Sequence, residues 1–230
     1  MKRNYLFIGG SEGMGLALVK LFHEKHHLFV ASRSNDQLSG LNVEHIAFDA
    51  TQDHLSEQNL PDSLDGFVYF PGSINLRPFK MMSSESFQED MQINFFSMVN
   101  SLKDIIGRMK EGSSIVLFST VAVEKGMPFH TSIASAKGAI EGFAKSLAAE
   151  YAPKIRVNVI APSLVDTSLA EKLLNNDKKK EQMAERHPLK RIGHTGDIAQ
   201  LASYLLSDKS SWVTGQIFRI DGGMSTLNIH

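Results

Sequence analysis

A stretch of seven residues near the start constrains this chain more than any other feature. The short apolar run Tyr5–Ile8 leads into Gly9-Gly10-Ser11-Glu12-Gly13-Met14-Gly15, and the helical run Leu16-Ala17-Leu18-Val19 follows at once. Glycines here permit a tight turn, close approach of the backbone to a phosphate, and close packing of helix on strand. The helix N-terminus beyond them offers free N–H groups and the positive end of a dipole. Such a turn between strand and helix points to the diphosphate of a dinucleotide, the alternative being an ordinary strand–helix turn with spare glycines.

The rest of the chain repeats that strand–helix rhythm. Runs near Leu28–Ala31, Val43–Phe48, Gly66–Phe70, Ile115–Ser119, Arg156–Ile160 and Gln216–Ile220 read as strands. The first five strands, counting Tyr5–Ile8, are nearly continuous apolar runs, as expected where both faces of a parallel sheet are buried. Helical patterns lie between them at Leu16–Glu24, Phe87–Met109, Ser132–Tyr151 and Asp197–Leu206, with a further amphipathic stretch at Leu169–Arg186. The alternation predicts an α/β fold, a three-layer doubly wound (Rossmann) arrangement with a seven-stranded parallel sheet flanked by helices on both faces. No linker, repeat or composition shift divides residues 1–230, so one nucleotide-binding domain is expected.

Composition narrows the function classes. Twenty-four Lys and Arg against 25 Asp and Glu leave a net charge of −1, which gives no footprint for nucleic acid or anionic membrane. The absence of cysteine rules out disulfide scaffolds, thiolate metal sites and cysteine nucleophiles. No apolar run approaches a membrane span, and the glycines and Glu12 cut the opening stretch short of a signal-peptide core. A cytoplasmic protein with a small-molecule substrate, and no nucleic-acid or membrane partner, is expected. His23, His26 and His27 close a helix without the converging ligands that a metal needs, so no metal is expected.

The G-x-x-x-G-x-G spacing resembles that of the short-chain dehydrogenase/reductase family, and other landmarks extend the resemblance from Asn4 to Gly223. Asp49 in AFDAT matches an acidic position that contacts adenine. Arg156-Val157-Asn158-Val159-Ile160-Ala161-Pro162 looks like the family's sixth strand and following loop, and the stretch from His187 to Gly223 is close to the family pattern throughout. Tyr69-Phe70-Pro71-Gly72 departs from the family's N-N-A-G-like segment, although Gly72 keeps its glycine. The resemblance implies a nicotinamide cofactor held by Gly9, Ser11, Glu12, Gly13, Met14 and Gly15 in the turn. It further implies contacts from Asp49 and Ala50, Pro71 and Gly72, Lys137, and Pro162, Val165 and Thr167. It also implies a homodimer or homotetramer, and a mobile substrate lid over about residues 165–190.

Residue chemistry at the end of the second strand bears on which nucleotide. Ser32 stands where a carboxylate would bind both ribose hydroxyls of NAD, and Arg33 follows it. A guanidinium pairs with a 2′-phosphate through a charge-assisted fork, with Ser32 and Ser34 as added donors. NADP(H) is therefore favoured over NAD(H). Glu12 argues the other way, and the alternative for Arg33 is a solvated loop charge.

Around the reacting carbon the family pattern implies an asparagine, a serine, a tyrosine and a lysine. Asn94 matches the asparagine, beside a stripe of Phe87, Met91, Phe95, Met98 and Leu102. Lys137 matches the lysine, sharing a helix face with Ile133, Ile140, Ala144, Leu147 and Tyr151. A lysine there either has a partner or snorkels to solvent. Gly138 and Gly142 in the same helix suggest close approach of a cofactor or a neighbouring helix. Thr120 falls at the serine position and keeps a hydroxyl, while strand alternation turns Ser119 to the other face. The tyrosine position is Ile133, which has no proton to give. His130 is the candidate replacement acid, its alternative being an exposed loop residue. Two functions follow: an oxidoreductase on a small carbonyl or alcohol with an atypical proton donor, or a non-catalytic NADP(H)-binding sensor or partner subunit.

Overall fold

The computed structural model describes residues 2–228. Seven strands build one sheet: β1 (Asn4–Ile8), β2 (His27–Ser32), β3 (Glu44–Ala47), β4 (Leu64–Tyr69), β5 (Met109–Phe118), β6 (Ile155–Pro162) and β7 (Ile217–Ile220). Their order is β3-β2-β1-β4-β5-β6-β7, and all pairings are parallel. Tyr5 of β1, for example, lies opposite Leu28 on one side and Gly66 on the other. Parallel neighbours require crossover connections, which places helices on the two faces.

Side-chain alternation then sorts the strands' apolar residues into two cores. Leu6 and Ile8 pack with α3 (Ser97–Ile105) and α5 (Thr131–Tyr151), through Met98, Leu102, Ile105, Ile140 and Ala144. Tyr5 and Phe7 point the other way, to Leu18, Val19 and Phe22 of α1 (Gly13–Phe22) and Ala202, Leu205 and Leu206 of α7 (Thr195–Leu206). Each such side chain removed from water contributes about 1.5–3 kcal/mol, so both faces of every central strand must be covered. That requirement explains the unbroken apolar runs in the sequence.

The stretch expected as one helix over Phe87–Met109 is instead composite. α2 (Ser84–Met91) begins earlier, with Ser83 Oγ accepting from Ser86 N–H (3.3 Å), and a π-helical turn at Gln92–Phe96 joins it to α3. Met109 opens β5. The wide turn adds a residue to the repeat, so a 3.6-residue period read through it drifts out of phase. Asp90 and Asn94 consequently face inward and are fully buried, while Phe87, Met91 and Phe95 of the expected stripe are only half-buried.

The amphipathic stretch Leu169–Arg186 differs as well. A 3-10 segment, Ser168–Leu173, is followed by α6 (Asp177–Glu185), which starts where Asn176 Oδ1 accepts from Lys179 N–H (2.9 Å). Lys178 and Lys179 are solvated and Lys180 reaches Asp166 at 3.5 Å. The remaining short helix, α4 (Ala122–Lys125), follows β5. Among the described residues no helix is long and apolar enough to cross a membrane. The sheet's order reverses between β1 and β4, and the crevice at a reversal, outside the carboxyl ends of the strands, is where a ligand fits in such sheets.

Candidate active site

The glycine turn is built by two constraints. Gly9 adopts φ +75° as the chain leaves β1, a region that other residues avoid. A Cβ on Gly15 would overlap the Gly9 carbonyl oxygen, so only glycine lets α1 pack against the turn. Together they leave the first N–H groups of α1 open at the crevice. Glu12 is tied to the start of the 3-10 segment Ser168–Leu173, accepting from Ser168 Oγ (3.0 Å).

Two clefts of about 250 Å³ each meet at Gly72, and the pair falls within the roughly 300–1,000 Å³ typical of small-molecule sites. The first cleft is lined by Gly9, Ser11, Glu12, Ser32, Arg33, Ser34, Asp49, Ala50, Pro71 and Gly72, which is most of the nucleotide set read from the sequence. Asp49 is held below the usual carboxylate range by the Thr51 hydroxyl (2.7 Å) and Thr51 N–H (2.9 Å), with Arg33 adding to the effect. Arg33 is exposed at the rim. Ser32 corrects an expectation: it is buried and its hydroxyl donates to the Ser34 carbonyl (2.8 Å), with His45 Nε2 also at 3.1 Å. A hydroxyl has one hydrogen, so Ser32 shapes the loop and is not a spare donor. Gly13 and Thr167 lie outside this cleft, in a shallow one shared with Glu12, and Thr167 Cγ2 lies 3.4 Å from the Cβ that Gly13 lacks.

The second cleft brings together Met14, Gly72, Thr120, His130, Ile133, Lys137 and Pro162. Gly15 and Val165 line neither cleft. At the junction, a Cβ on Gly72 would sit 2.9 Å from Asn94 Oδ1 and 3.4 Å from Lys137 Nζ. Asn94 Oδ1 is buried and without a hydrogen-bond partner. Lys137 is 9% exposed, and burial pushes its ammonium down to about 8 with no carboxylate nearby to offset it. An acceptor and a donor, both short of partners, thus converge beside the backbone of Gly72. A nicotinamide cofactor fits this arrangement: the turn has room for a diphosphate, and the junction has unspent hydrogen-bonding capacity for a ribose or a water.

Asn94 is aimed by a group that sequence reasoning missed. Asp90, fully buried, accepts from Ser73 Oγ (2.5 Å), Asn75 Nδ2 (2.8 Å) and Ser132 Oγ (2.6 Å). Asn94 Nδ2 in turn donates to Ser73 Oγ (2.9 Å) and to the Asp90 carbonyl (2.8 Å). Both amide hydrogens are therefore committed, and Oδ1 is left facing the junction. A carboxylate one turn before Asn94 on the same helix was the available signal.

Thr120 Oγ1 accepts from Ala122 N–H (3.3 Å), which leaves its own hydrogen free toward the cleft. Ser119 donates to Glu141 Oε1 (2.5 Å) on α5 although its residue also borders the cleft. His130 sits at the N-terminus of α5 after Phe129, whose φ of 70° is rare for a bulky residue. Its Nδ1 lies 2.7 Å from the Pro128 carbonyl, an acceptor only, so Nδ1 carries the proton and Nε2 is free. Ile133 is 6% exposed and occupies the wall one turn before Lys137. None of the four tyrosines lines either cleft. Tyr69 is buried and gives its hydroxyl to the Ile93 carbonyl (2.8 Å). Gly138 faces a neighbouring helix, with Val123 of α4 3.7 Å from the Cβ it lacks, whereas Gly142 has nothing of the chain within 4 Å.

Ser163 and His187 form a pair that the sequence did not disclose. His187 is 4% exposed, with Nδ1 on the Met183 carbonyl (2.8 Å) and Nε2 on Ser163 Oγ (2.9 Å). Beyond them opens a cavity of about 460 Å³ lined by Arg191, Asp197, Gln200 and Asp221. None of the candidate residues Asn94, Thr120, His130, Ile133 or Lys137 lines it, and its Arg191 is already paired with Asp197 (2.7 and 2.9 Å).

Comparison with known proteins agrees with this geometry. The family described as enoyl-(acyl carrier protein) reductase matches residues 9–225. The chain is similar to a 3-oxoacyl-(acyl-carrier-protein) reductase of Chlamydia trachomatis, 31% identical over 98% of each chain. It is also similar to L-xylulose reductase of Bos taurus, 30% identical over 96% of each. Among solved structures, a short chain dehydrogenase family protein from Francisella tularensis matches with a TM-score of 0.89 at 30% identity, covering 99% of this chain and 100% of that one. Ligand-free aldohexose dehydrogenase from Thermoplasma acidophilum also gives 0.89, at 26% identity, covering 99% and 95%. The glycine turn, the Asn94–Lys137 junction and this family match place the chain in the short-chain dehydrogenase/reductase family of oxidoreductases.

Proposed function

We propose that the protein is an NADP(H)-dependent oxidoreductase acting on a small carbonyl or alcohol, with Ile133 where the family's proton-donating tyrosine would stand. The observation that carries this reading is the convergence of Lys137 Nζ and the unpartnered Asn94 Oδ1 on Gly72, at the meeting point of the two clefts.

The turn from Gly9 to Gly15 would hold the diphosphate, Asp49 and Ala50 the adenine end, and Arg33 with Ser34 a 2′-phosphate. Lys137 would hold the nicotinamide ribose, with Pro162 in the same cleft and Val165 and Thr167 on the chain that follows it. When bound, the cofactor supplies or accepts the hydride. Reduction of C=O to CH–OH also needs one proton at oxygen, and oxidation releases it. Thr120 orients that oxygen through its free hydroxyl hydrogen. His130 moves the proton at Nε2, because Nδ1–H is committed to Pro128. Asn94 Oδ1 would accept a hydrogen bond from a water at the junction, and Lys137 would exchange a proton with that water.

Ile133 supports a second reading, a non-catalytic NADP(H)-binding sensor or partner subunit. NADPH fluorescence titration comes first, and absence of saturable binding overturns both. A panel of carbonyl compounds is then tested on the wild type, His130→Ala and Ile133→Tyr. Wild-type turnover that falls by ~10²–10⁴-fold in His130→Ala supports the enzyme. Turnover confined to Ile133→Tyr supports the binding protein.

A further inference from the structure

The clefts differ in charge. The nucleotide cleft contains Glu12 and Asp49, whereas the second cleft has no carboxylate in its lining. Its ionisable side chains are Lys137, His130, His187 and Arg186, set in a wall that includes Phe70, Leu76, Phe118, Leu164, Leu173 and Met224. An apolar pocket whose titratable groups are all basic excludes cations and tolerates an anion.

Three of the four basic groups have other work. Lys137 lies at the Gly72 junction beside Asn94. Both ring nitrogens of His187 are bonded within the protein, and Nδ1 of His130 is held by Pro128. Arg186 differs. It is exposed at the rim, its one side-chain hydrogen bond among the described residues runs from Nη1 to Met183 Sδ at 3.5 Å, a thioether that itself lines the cleft, and it makes no ion pair there. Two acidic side chains of the same stretch are engaged elsewhere, Glu185 with Lys190 (2.9 Å) and Asp166 with Lys180 (3.5 Å), and none of its carboxylates lines the cleft. A planar fork of donors is thus left without a counter-charge at the rim of an apolar cleft. A carboxylate matches such a fork in shape and charge.

We propose that the second cleft takes an oxo- or hydroxy-carboxylate with an apolar body, its carboxylate on Arg186 and its reacting carbon–oxygen group at the Thr120–Lys137 end. This substrate class rests on the oxidoreductase reading, but its test does not. Octanoate and 1-octanol share an apolar chain and differ in charge, and both are titrated calorimetrically into nucleotide-free wild type, Arg186→Met and Lys137→Met. Octanoate is expected to bind about tenfold tighter than octanol in the wild type, as one charge-assisted pair provides. That margin should vanish in Arg186→Met and survive in Lys137→Met. Unchanged octanol binding in Arg186→Met shows that the cleft is intact. Equal binding of the two probes by the wild type overturns the proposal, and so does a margin that persists in Arg186→Met or disappears in Lys137→Met. Failure to bind NADPH would sink the oxidoreductase reading while leaving these titrations to decide the anion site.

Discussion

Replacing Lys137 by methionine should stabilise the nucleotide-free protein while weakening its hold on NADPH. The side chain is buried with no carboxylate beside it, and burial brings its ammonium from the ordinary 10.5 down to about 8. The unfolded chain therefore binds the proton more tightly than the folded one, and stability rises with pH wherever that difference operates. Below about pH 8 both states are charged and the full penalty is present. Between about 8 and 10.5 it fades, and above that range it is gone. The gap between the two values corresponds to on the order of 3 kcal/mol. Methionine keeps the chain's length and removes the charge, so at pH 7 the variant should gain up to roughly 3 kcal/mol. In a chain of this length that is a rise in melting temperature of very roughly 6–12 °C. Urea titrations of both proteins at pH 7, 9 and 10.5 provide the assay, and the difference between them should shrink steadily across the series. A variant less stable than the wild type at pH 7, or a gain that does not change with pH, would refute the reasoning.

Other perturbations follow from the same geometry. Arg33→Ala should weaken NADPH by about tenfold and leave NADH unchanged in fluorescence titrations, because only the former carries the 2′-phosphate. Asp90→Ala strands the donors of Ser73, Asn75 and Ser132, so the urea midpoint should report a loss of at least about 3 kcal/mol, whereas Asp90→Asn loses less. Gly15→Ala drives a methyl into the Gly9 carbonyl and should cost about 2 kcal/mol or more along with nucleotide binding. Gly142→Ala meets open space inside α5 and should instead raise stability by about 1 kcal/mol in thermal melts.

The sheet was legible in the sequence because strands covered on both faces leave unbroken apolar runs, and the crevice was legible because Gly9–Gly15 joins the first strand directly to a helix. Lys137 was legible as a charge on an apolar helix face. Other features depended on contacts that a linear pattern does not carry. The π turn hid the phase of Asp90, and the partner of Ser32 is its own loop two residues on. The Ser163–His187 pair joins residues 24 positions apart. Gly138 and Gly142 suggested close approach, which a neighbouring helix meets only at Gly138, because helical glycines carry no sign of what stands opposite them. The break at Leu174–Asn176 within the stretch read as Leu169–Arg186 was also missed, although Asn176 before Asp177 is a good helix start.

The wide turn at Gln92–Phe96 lets one rod serve two masters. Behind it, Met98, Leu102 and Ile105 fix the rod's azimuth to the interior. In a regular helix that azimuth would dictate every side chain in front. The additional residue acts as a swivel and gives Asp90 and Asn94 a bearing of their own. Repacking at the rear is then insulated from chemistry at the front, and the two ends are free to evolve on separate schedules.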